Sequence, residues 1–230
     1  MRTMAAALVD RVKVNENNRE PRQPLVLLVD TSGSMSADLP DVAEGLSGLR
    51  AALQRDTVAR NRVELLVITF GGAVAVHGDF GEAAVFEPPA LAATGETPMA
   101  AALEQALDLV EMKKRAYKES GLDYYRPLLF LITDGEPTDT AKWPEIVRRV
   151  REAESTKKLS LLSVGTKSAN FNRLKELSPD RAPLRLKEAQ WGTMFQWLSR
   201  SLSARSRSRP GEAMALEDPT GPRGWGTLPS

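Results

Sequence analysis

The chain has 230 residues, of which 42% are hydrophobic and 27% charged, a composition typical of a globular protein with one sizeable core. Its 31 Lys and Arg side chains nearly balance its 30 Asp and Glu side chains, so the overall charge favours neither nucleic acid nor an anionic membrane as a partner. There are no cysteines, which excludes disulfides and thiolate chemistry.

The apolar run near the N-terminus is too short for a signal sequence or a membrane span. Together with the absence of cysteine, this leads us to expect a cytoplasmic protein.

Four short apolar runs predict buried strands, because their hydrophobic residues are nearly continuous instead of alternating. Segments with helical spacing separate these runs. The predicted strands cover residues 25–30, 63–70, 128–133 and 159–164, and the predicted helices cover residues 40–59, 98–117 and 141–155. The alternation predicts an α/β fold: a doubly wound, mostly parallel central sheet flanked by helices.

Residues 73–86 contain two short β-prone pieces around a Gly-Asp-Phe-Gly turn, which predicts an antiparallel hairpin at the edge of the sheet. Beyond residue 165 we expect two more helices, with a short strand near residues 184–186.

The chain divides by composition into three predicted parts: an N-terminal extension (residues 1–23), a folded domain (24–204) and an Arg/Ser-rich then Pro/Gly-rich tail (205–230). We expect both ends to be extended or disordered. The apolar Leu216, Trp225 and Leu228 could dock back on the domain or on a partner.

Two acidic residues stand at the ends of predicted central strands. Asp30 follows "LVLLV" and Asp134 follows "LLFLIT". Ligands of open α/β sheets bind at the carboxyl ends of the strands, so we expect the two carboxylates to share one crevice. The stretch "VDTSGSM" adds Ser32 and Ser34 at alternate positions, and it can be interpreted as a turn, a phosphotransfer site or one corner of a metal site.

Thr97 precedes Pro98 and a helical pattern, so it is a candidate N-cap as well as a candidate ligand, and both interpretations stay open here. Together with Asp30, Ser32, Ser34 and Asp134, it completes a set of two carboxylates and three hydroxyls. An all-oxygen set of this kind suits a hard octahedral cation such as Mg²⁺, which retains some waters and leaves a position for an incoming group.

Three catalytic classes fit the sequence poorly. A haloacid-dehalogenase-like phosphatase would carry a second acid where this chain has Ser32. A serine hydrolase lacks support because there is no G-x-S-x-G motif and the single histidine, His77, falls in the predicted edge hairpin. The "GTK" at residues 165–167 lacks the upstream glycine and the spacing of a phosphate-binding loop.

The segments "DTSGSM", "GETPM" and "ITDGEPTD" resemble the three loops of the metal-ion-dependent adhesion site of von Willebrand factor type A domains, over about residues 24–204. The resemblance implies that Ser32, Ser34 and Thr97 bind a cation through their hydroxyls, and that Asp30 and Asp134 bind it directly or through water. It implies a non-catalytic, Mg²⁺-dependent module, with Mn²⁺ or Ca²⁺ as alternatives, whose open coordination position takes an Asp or Glu of a protein partner.

Six further residues are expected to rim this site and tune the choice of partner; the alternative is that they are solvated loop residues. They are Ser36, Asp38, Glu96, Met99, Glu136 and Thr138.

Within that family the chain looks most similar to compact bacterial proteins of tellurite and chemical-stress resistance. The features that carry this are "PLVLLVDTSGSM", "PLLFLITDGEPTD" and a closing helix "MFQWLSRSLS" before a Pro-rich, Trp-containing tail. The similarity implies an adaptor in a bacterial stress-response or phosphosignalling system, acting beside a kinase and a PP2C-type phosphatase. The alternatives are a substrate-recruiting subunit of an AAA+ ATPase complex and, third, a Mg²⁺-dependent hydrolase.

Overall fold

The computed structural model describes residues 11–188, 190–211, 217–221 and 224–229, and the predicted alternation of strands and helices is present in it. The strands are β1 (Gln23–Asp30), β2 (Val63–Gly71), β3 (Ala73–Glu82), β4 (Leu128–Thr133), β5 (Ser160–Gly165), β6 (Leu184–Leu186) and β7 (Gly226–Thr227). The helices are α1 (Leu39–Arg55), α2 (Ala59–Arg62), α3 (Met99–Glu119), α4 (Trp143–Ser155), α5 (Phe171–Leu177) and α6 (Trp191–Ser206). None of the helices described is both long and apolar enough to cross a bilayer.

The strands form one sheet in the order β3-β2-β1-β4-β5-β6-β7. Strands β1, β2, β4, β5 and β6 are parallel, whereas β3 is antiparallel to β2 and β7 is antiparallel to β6. Chain order reverses at β1, which has β2 on one side and β4 on the other. The predicted doubly wound, mostly parallel fold is confirmed, and β1 and β4 flank the position where such sheets bind ligands.

The antiparallel edge hairpin exists, but its turn is not where the sequence predicted it. Strand β3 continues through the Gly-Asp-Phe-Gly segment, where its pairing with β2 contains a bulge between His77 and Gly81. The chain reverses instead at Gly71 and Gly72, where Gly72 has a φ of +66°. Glycine adopts this left-handed conformation without the steric cost that a side chain would add, which is why the turn forms there.

Both faces of β1 are buried, which explains why its sequence is continuously apolar. Leu25, Leu27 and Val29 pack in a core with α1 and α6, whereas Val26 and Leu28 pack in a second core with α3 and α4. Burial of each such side chain contributes about 1.5–3 kcal/mol relative to exposure. The two cores hold the carboxyl end of β1 in place, and with it Asp30.

The described end of the tail is packed, in contrast to the flexible tail expected over residues 205–230. Trp225 is 1% exposed, and its ring centroid lies 5.3 Å from that of Trp197 on α6. Backbone pairing of β7 with β6 covers this edge of the sheet. Trp225 therefore docks back on the domain, one of the two alternatives considered for it, while Leu216 lies outside the described residues.

The N-terminal segment before β1 is also held against the domain from residue 11 onward. The Arg22 side chain is fully buried and forms an ion pair with Glu64 at 3.0 Å, and Lys113 forms a second ion pair with Glu64 at 2.7 Å. Lys113 Nζ also donates to the carbonyl of Lys13 at 2.8 Å. Removing either positive side chain would leave the negative charge of the buried Glu64 carboxylate less well neutralised, so this network anchors the segment.

Candidate metal centre

Asp30 ends β1 as a fully buried carboxylate whose two oxygens are held from different segments, the loop after β1 and strand β4. Oδ1 accepts a hydrogen bond from the backbone amide of Ser32 at 2.8 Å. Oδ2 accepts one from the hydroxyl of Thr133, the last residue of β4, at 2.6 Å. Thr133 was not identified from the sequence, because nothing distinguishes it there from an ordinary strand residue.

The two serines of the first loop connect Asp30 to the second carboxylate. Ser32 Oγ lies 3.2 Å from Ser34 Oγ, and Ser34 Oγ donates to Asp134 Oδ1 at 3.0 Å. Ser32 and Asp134 are buried, whereas Ser34 is exposed in a short 3₁₀ turn over Gly33–Ala37. Oxygen atoms from two loops that are 100 residues apart in sequence thus meet in one crevice, as the sequence predicted.

Thr97 also reaches this crevice. A Cβ built on Gly135, which follows Asp134, would lie 3.4 Å from Thr97 Oγ1 and 3.8 Å from Asp30 Oδ2. All five residues predicted as ligands are therefore grouped at the ends of β1 and β4 and at the start of α3.

The prediction that Thr97 caps helix α3 is wrong. The helix begins at Met99, and the residue before it makes no side-chain capping bond. The amides of Ala100 and Ala101 instead donate to the Asp139 carboxylate, at 3.0 and 2.7 Å. Because Asp139 satisfies these free N–H groups from another loop, the Thr97 hydroxyl is not used as the cap.

Glycines allow the loop before Thr97 to lie against the first loop. The amide of Gly33 donates to the Gly95 carbonyl at 3.1 Å. Gly95 has a φ of +59°, and a Cβ there would lie 2.5 Å from Gly72 Cα. A Cβ on Gly71 would lie 2.1 Å from the Thr31 carbonyl oxygen. These contacts leave no room for a side chain. The pair Gly71 and Gly72, directly after an apolar strand, is the feature of the sequence that could have indicated them.

The crevice carries negative charge that the protein does not neutralise. Burial raises the pKa of Asp134; the hydrogen bond from Ser34 opposes the rise, and the carboxylates of Asp30 and Asp38 add to it. Over the described ranges, no Lys, Arg or His side chain forms an ion pair with Asp30 or Asp134. Buried carboxylates without a counter-charge are unfavourable, so this donor set fits a bound cation.

Four of the six predicted rim residues are exposed in the loops that form the site: Ser36, Glu96, Glu136 and Thr138. Asp38 is half-buried, and its Oδ1 accepts a hydrogen bond from Trp191 Nε1 at 3.0 Å. Met99 does not rim the site. Its side chain is fully buried in the core beneath α3, so the prediction of a partner contact for Met99 is wrong.

Comparison with solved structures shows the same fold in longer chains. The pilus adhesin SpaC from Lactobacillus rhamnosus GG, in its open conformation, has a TM-score of 0.63 and 16% identity over 82% of this chain and 30% of that chain. A von Willebrand factor type A protein from Catenulispora acidiphila has a TM-score of 0.55 and 16% identity over 80% of this chain and 43% of that chain. Manganese-loaded TRAP protein from Plasmodium vivax has a TM-score of 0.50 and 22% identity over 71% of this chain and 64% of that chain.

This chain thus spans less than two thirds of each of these three solved chains. A comparison with curated protein sequences found no match. The family model for the von Willebrand factor type A domain matches residues 25–194, which include all three loops of the crevice. The chain therefore belongs to the von Willebrand factor type A domain family.

Proposed function

We propose that this domain binds a divalent cation through five residues and uses it to hold an acidic side chain of a protein partner. The proposed ligands are Asp30, Ser32, Ser34, Thr97 and Asp134. The observation that carries the proposal is the crevice itself, in which two buried carboxylates lie among hydroxyls and form no ion pair with a positive side chain in the part of the chain that the structure describes.

Mg²⁺ is the cation that we propose, with Mn²⁺ or Ca²⁺ as alternatives. Carboxylate and hydroxyl oxygens are hard ligands that suit these ions, and no sulfur or imidazole belongs to the proposed set. The manganese-loaded state of the structurally similar TRAP protein supports a divalent cation in a domain of this fold.

The burial of the ligands supports access of a partner to the cation. Asp30 and Ser32 are buried, whereas Ser34 is exposed, so a cation held by all three would be within reach of solvent. A carboxylate from a partner could then add a strong charge-assisted contact. Without the cation, Asp134 and the exposed Glu96 would repel an acidic partner, so the cation would reverse the sign of the local interaction.

The more specific form of the proposal is a non-catalytic adaptor in a bacterial stress-response or phosphosignalling system. Its support is the similarity of the three loop segments and the closing helix to the compact stress-resistance members of the family. The corresponding partners are a protein kinase and a PP2C-type phosphatase.

A pull-down from the source cells tests this proposal. The bait is the full chain, with Mg²⁺ or with EDTA, beside the Asp30→Ala variant and the control Asp41→Ala, which removes an exposed acid from the first turn of α1. We expect a kinase or phosphatase to be retained with Mg²⁺ by wild type and Asp41→Ala, and lost in EDTA and with Asp30→Ala. Retention of an AAA+ ATPase would replace the partner assignment, and retention of the same partner in EDTA would contradict metal-dependent binding.

A further inference from the structure

Two exposed side chains of opposite charge stand on either side of the metal centre. Glu96 lies directly before the proposed ligand Thr97, and Lys167 lies in the loop that follows β5. Within the part of the chain that the structure describes, neither side chain forms an ion pair. Both are therefore available to pair with charges on a partner that approaches the metal centre.

Backbone hydrogen bonds fix the positions of the two loops that carry these side chains. The amide of Gly72, which follows β2, donates to the Glu96 carbonyl at 2.7 Å. The amide of Thr166 donates to the carbonyl of Thr133, the last residue of β4, at 3.1 Å. Glu96 is therefore held beside the carboxyl end of β2, and Lys167 is held beside the carboxyl ends of β4 and β5.

The other two acids of the predicted rim already have partners within the domain. Glu136 Oε1 lies 3.3 Å from Arg173 Nε, so its negative charge is neutralised by an ion pair. Asp38 is half-buried, and its carboxylate accepts the hydrogen bond from the indole of Trp191. Among the described rim residues, Glu96 is thus the acid that is both exposed and unpaired.

The order of the strands sets the spacing of the two charges. Strands β2, β1, β4 and β5 are successive neighbours, and the crevice lies between β1, which ends in Asp30, and β4, which precedes Asp134. Neighbouring strands are about 4.8 Å apart, so Glu96 and Lys167 stand on opposite sides of the crevice, each about 7 Å from its middle across the sheet. An extended segment advances about 3.3 Å per residue and directs alternate side chains to the same face. Residues two positions before and two positions after a metal-bound acid therefore face these two loops.

We infer that the metal centre selects an extended partner segment with a fixed charge pattern: the acid that binds the cation has a basic residue two positions away on one side and an acidic residue two positions away on the other. Glu96 pairs with the basic residue, and Lys167 pairs with the acidic one. Exposed ion pairs add little affinity, whereas like charges placed opposite one another repel, so the two side chains act mainly on the choice of partner. This inference rests on the proposed function, because the central acid must bind the cation.

NMR titration of the ¹⁵N-labelled full chain in Mg²⁺ with three peptides tests the charge pattern. Lys-Gly-Asp-Gly-Glu and its reverse, Glu-Gly-Asp-Gly-Lys, carry the pattern in the two chain directions. The control Gly-Gly-Asp-Lys-Glu has the same composition, with both charges on one side of the aspartate. All three are acetylated and amidated, so that no terminal carboxylate reaches the metal.

We expect one of the two patterned peptides to bind roughly two- to tenfold more tightly than the control, as two exposed ion pairs would provide. Equal or tighter binding of the control would overturn the inference and leave the proposed function intact. Binding of none of the peptides by a chain that holds Mg²⁺ would overturn the proposed function and the inference with it.

Charge-matched variants assign the preference to the two loops. Glu96→Gln and Lys167→Gln each remove one charge beside the metal centre, whereas the controls Asp41→Asn and Lys175→Gln each remove an exposed charge of the same sign from helix α1 or α5. We expect each of the first two variants to reduce the preference for the patterned peptide, and the double variant to abolish it. The controls should keep the preference of wild type. An equal reduction in the controls would show that net charge sets the preference, and would overturn the inference.

Discussion

Replacing Thr133 by Val tests how the buried carboxylate at the end of β1 is supported. The Thr133 hydroxyl donates to Asp30 Oδ2 at 2.6 Å and accepts from the Gly135 amide at 3.1 Å. Valine has nearly the same shape as threonine, so the substitution removes both hydrogen bonds without opening a large cavity. Its effect therefore reports on these two interactions.

The expected magnitude follows from the charge on Asp30. A hydrogen bond to a charged group contributes about 1.5–3 kcal/mol, and the second bond links neutral groups and contributes less, so we expect Thr133→Val to lower the free energy of unfolding by about 2–3 kcal/mol. Loss of a group that orients a metal ligand weakens metal binding by roughly ten- to a hundredfold. Both effects should appear in the same variant.

Urea unfolding in EDTA measures the first effect, and calorimetric titration with Mn²⁺ measures the second. Thr133→Ser is the matched control because it keeps the hydroxyl, and we expect it to bind Mn²⁺ nearly as tightly as wild type. If Thr133→Val binds Mn²⁺ as tightly as Thr133→Ser, the Thr133 hydroxyl has no part in orienting Asp30.

Three further predictions concern stability. Gly95→Ala forces a side chain into a left-handed residue at a close backbone contact, and should lower the free energy of unfolding in urea by about 1–3 kcal/mol, whereas Gly192→Ala, with open space around it, should not. Burial raises the pKa of Asp56, but hydrogen bonds from backbone amides and Arg207 outweigh it and lower the pKa from 3.8 to about 2. The contribution of the Asp56 carboxylate to the free energy of unfolding is therefore full above pH 3.8 and lost as the pH falls through about 2. Asp56→Asn should lower the free energy of unfolding by about 1–2 kcal/mol at neutral pH, and should flatten the decline of stability with falling pH. Trp225→Ala should cost about 3–5 kcal/mol by calorimetry if the tail is packed as described; a change under about 0.5 kcal/mol would contradict that packing.

The positions of Asp30 and Asp134 could be predicted because local sequence carries the information. An apolar run that ends in an acid and small residues marks the carboxyl end of a buried strand. Alternation of strands with helices then places two such ends side by side. The same reasoning correctly grouped Ser32 and Ser34 with them, since these residues lie two and four positions beyond Asp30.

The wrong predictions came from contacts that are distant in sequence or from the orientation of a side chain on its helix. Proline after Thr97 indicated a helix start, but Asp139 caps the helix from another loop, which no local pattern reveals. Met99 is adjacent to a ligand loop in sequence, yet the first turn of α3 directs its side chain into the core. Composition likewise indicated a flexible tail, whereas contact with Trp197 and the pairing of β7 with β6 hold Trp225 against the domain.

Binding of Mn²⁺ to the purified chain, measured by electron paramagnetic resonance at increasing metal concentration, shows whether the crevice holds a divalent cation. Asp30→Ala removes the fully buried carboxylate of the proposed ligand set, and Asp41→Ala removes an exposed acid nearby as a control. We expect one Mn²⁺ per chain for wild type and Asp41→Ala, displaceable by Mg²⁺, and none for Asp30→Ala. Equal Mn²⁺ binding by Asp30→Ala and wild type, or none by wild type, would rule out the proposed metal site.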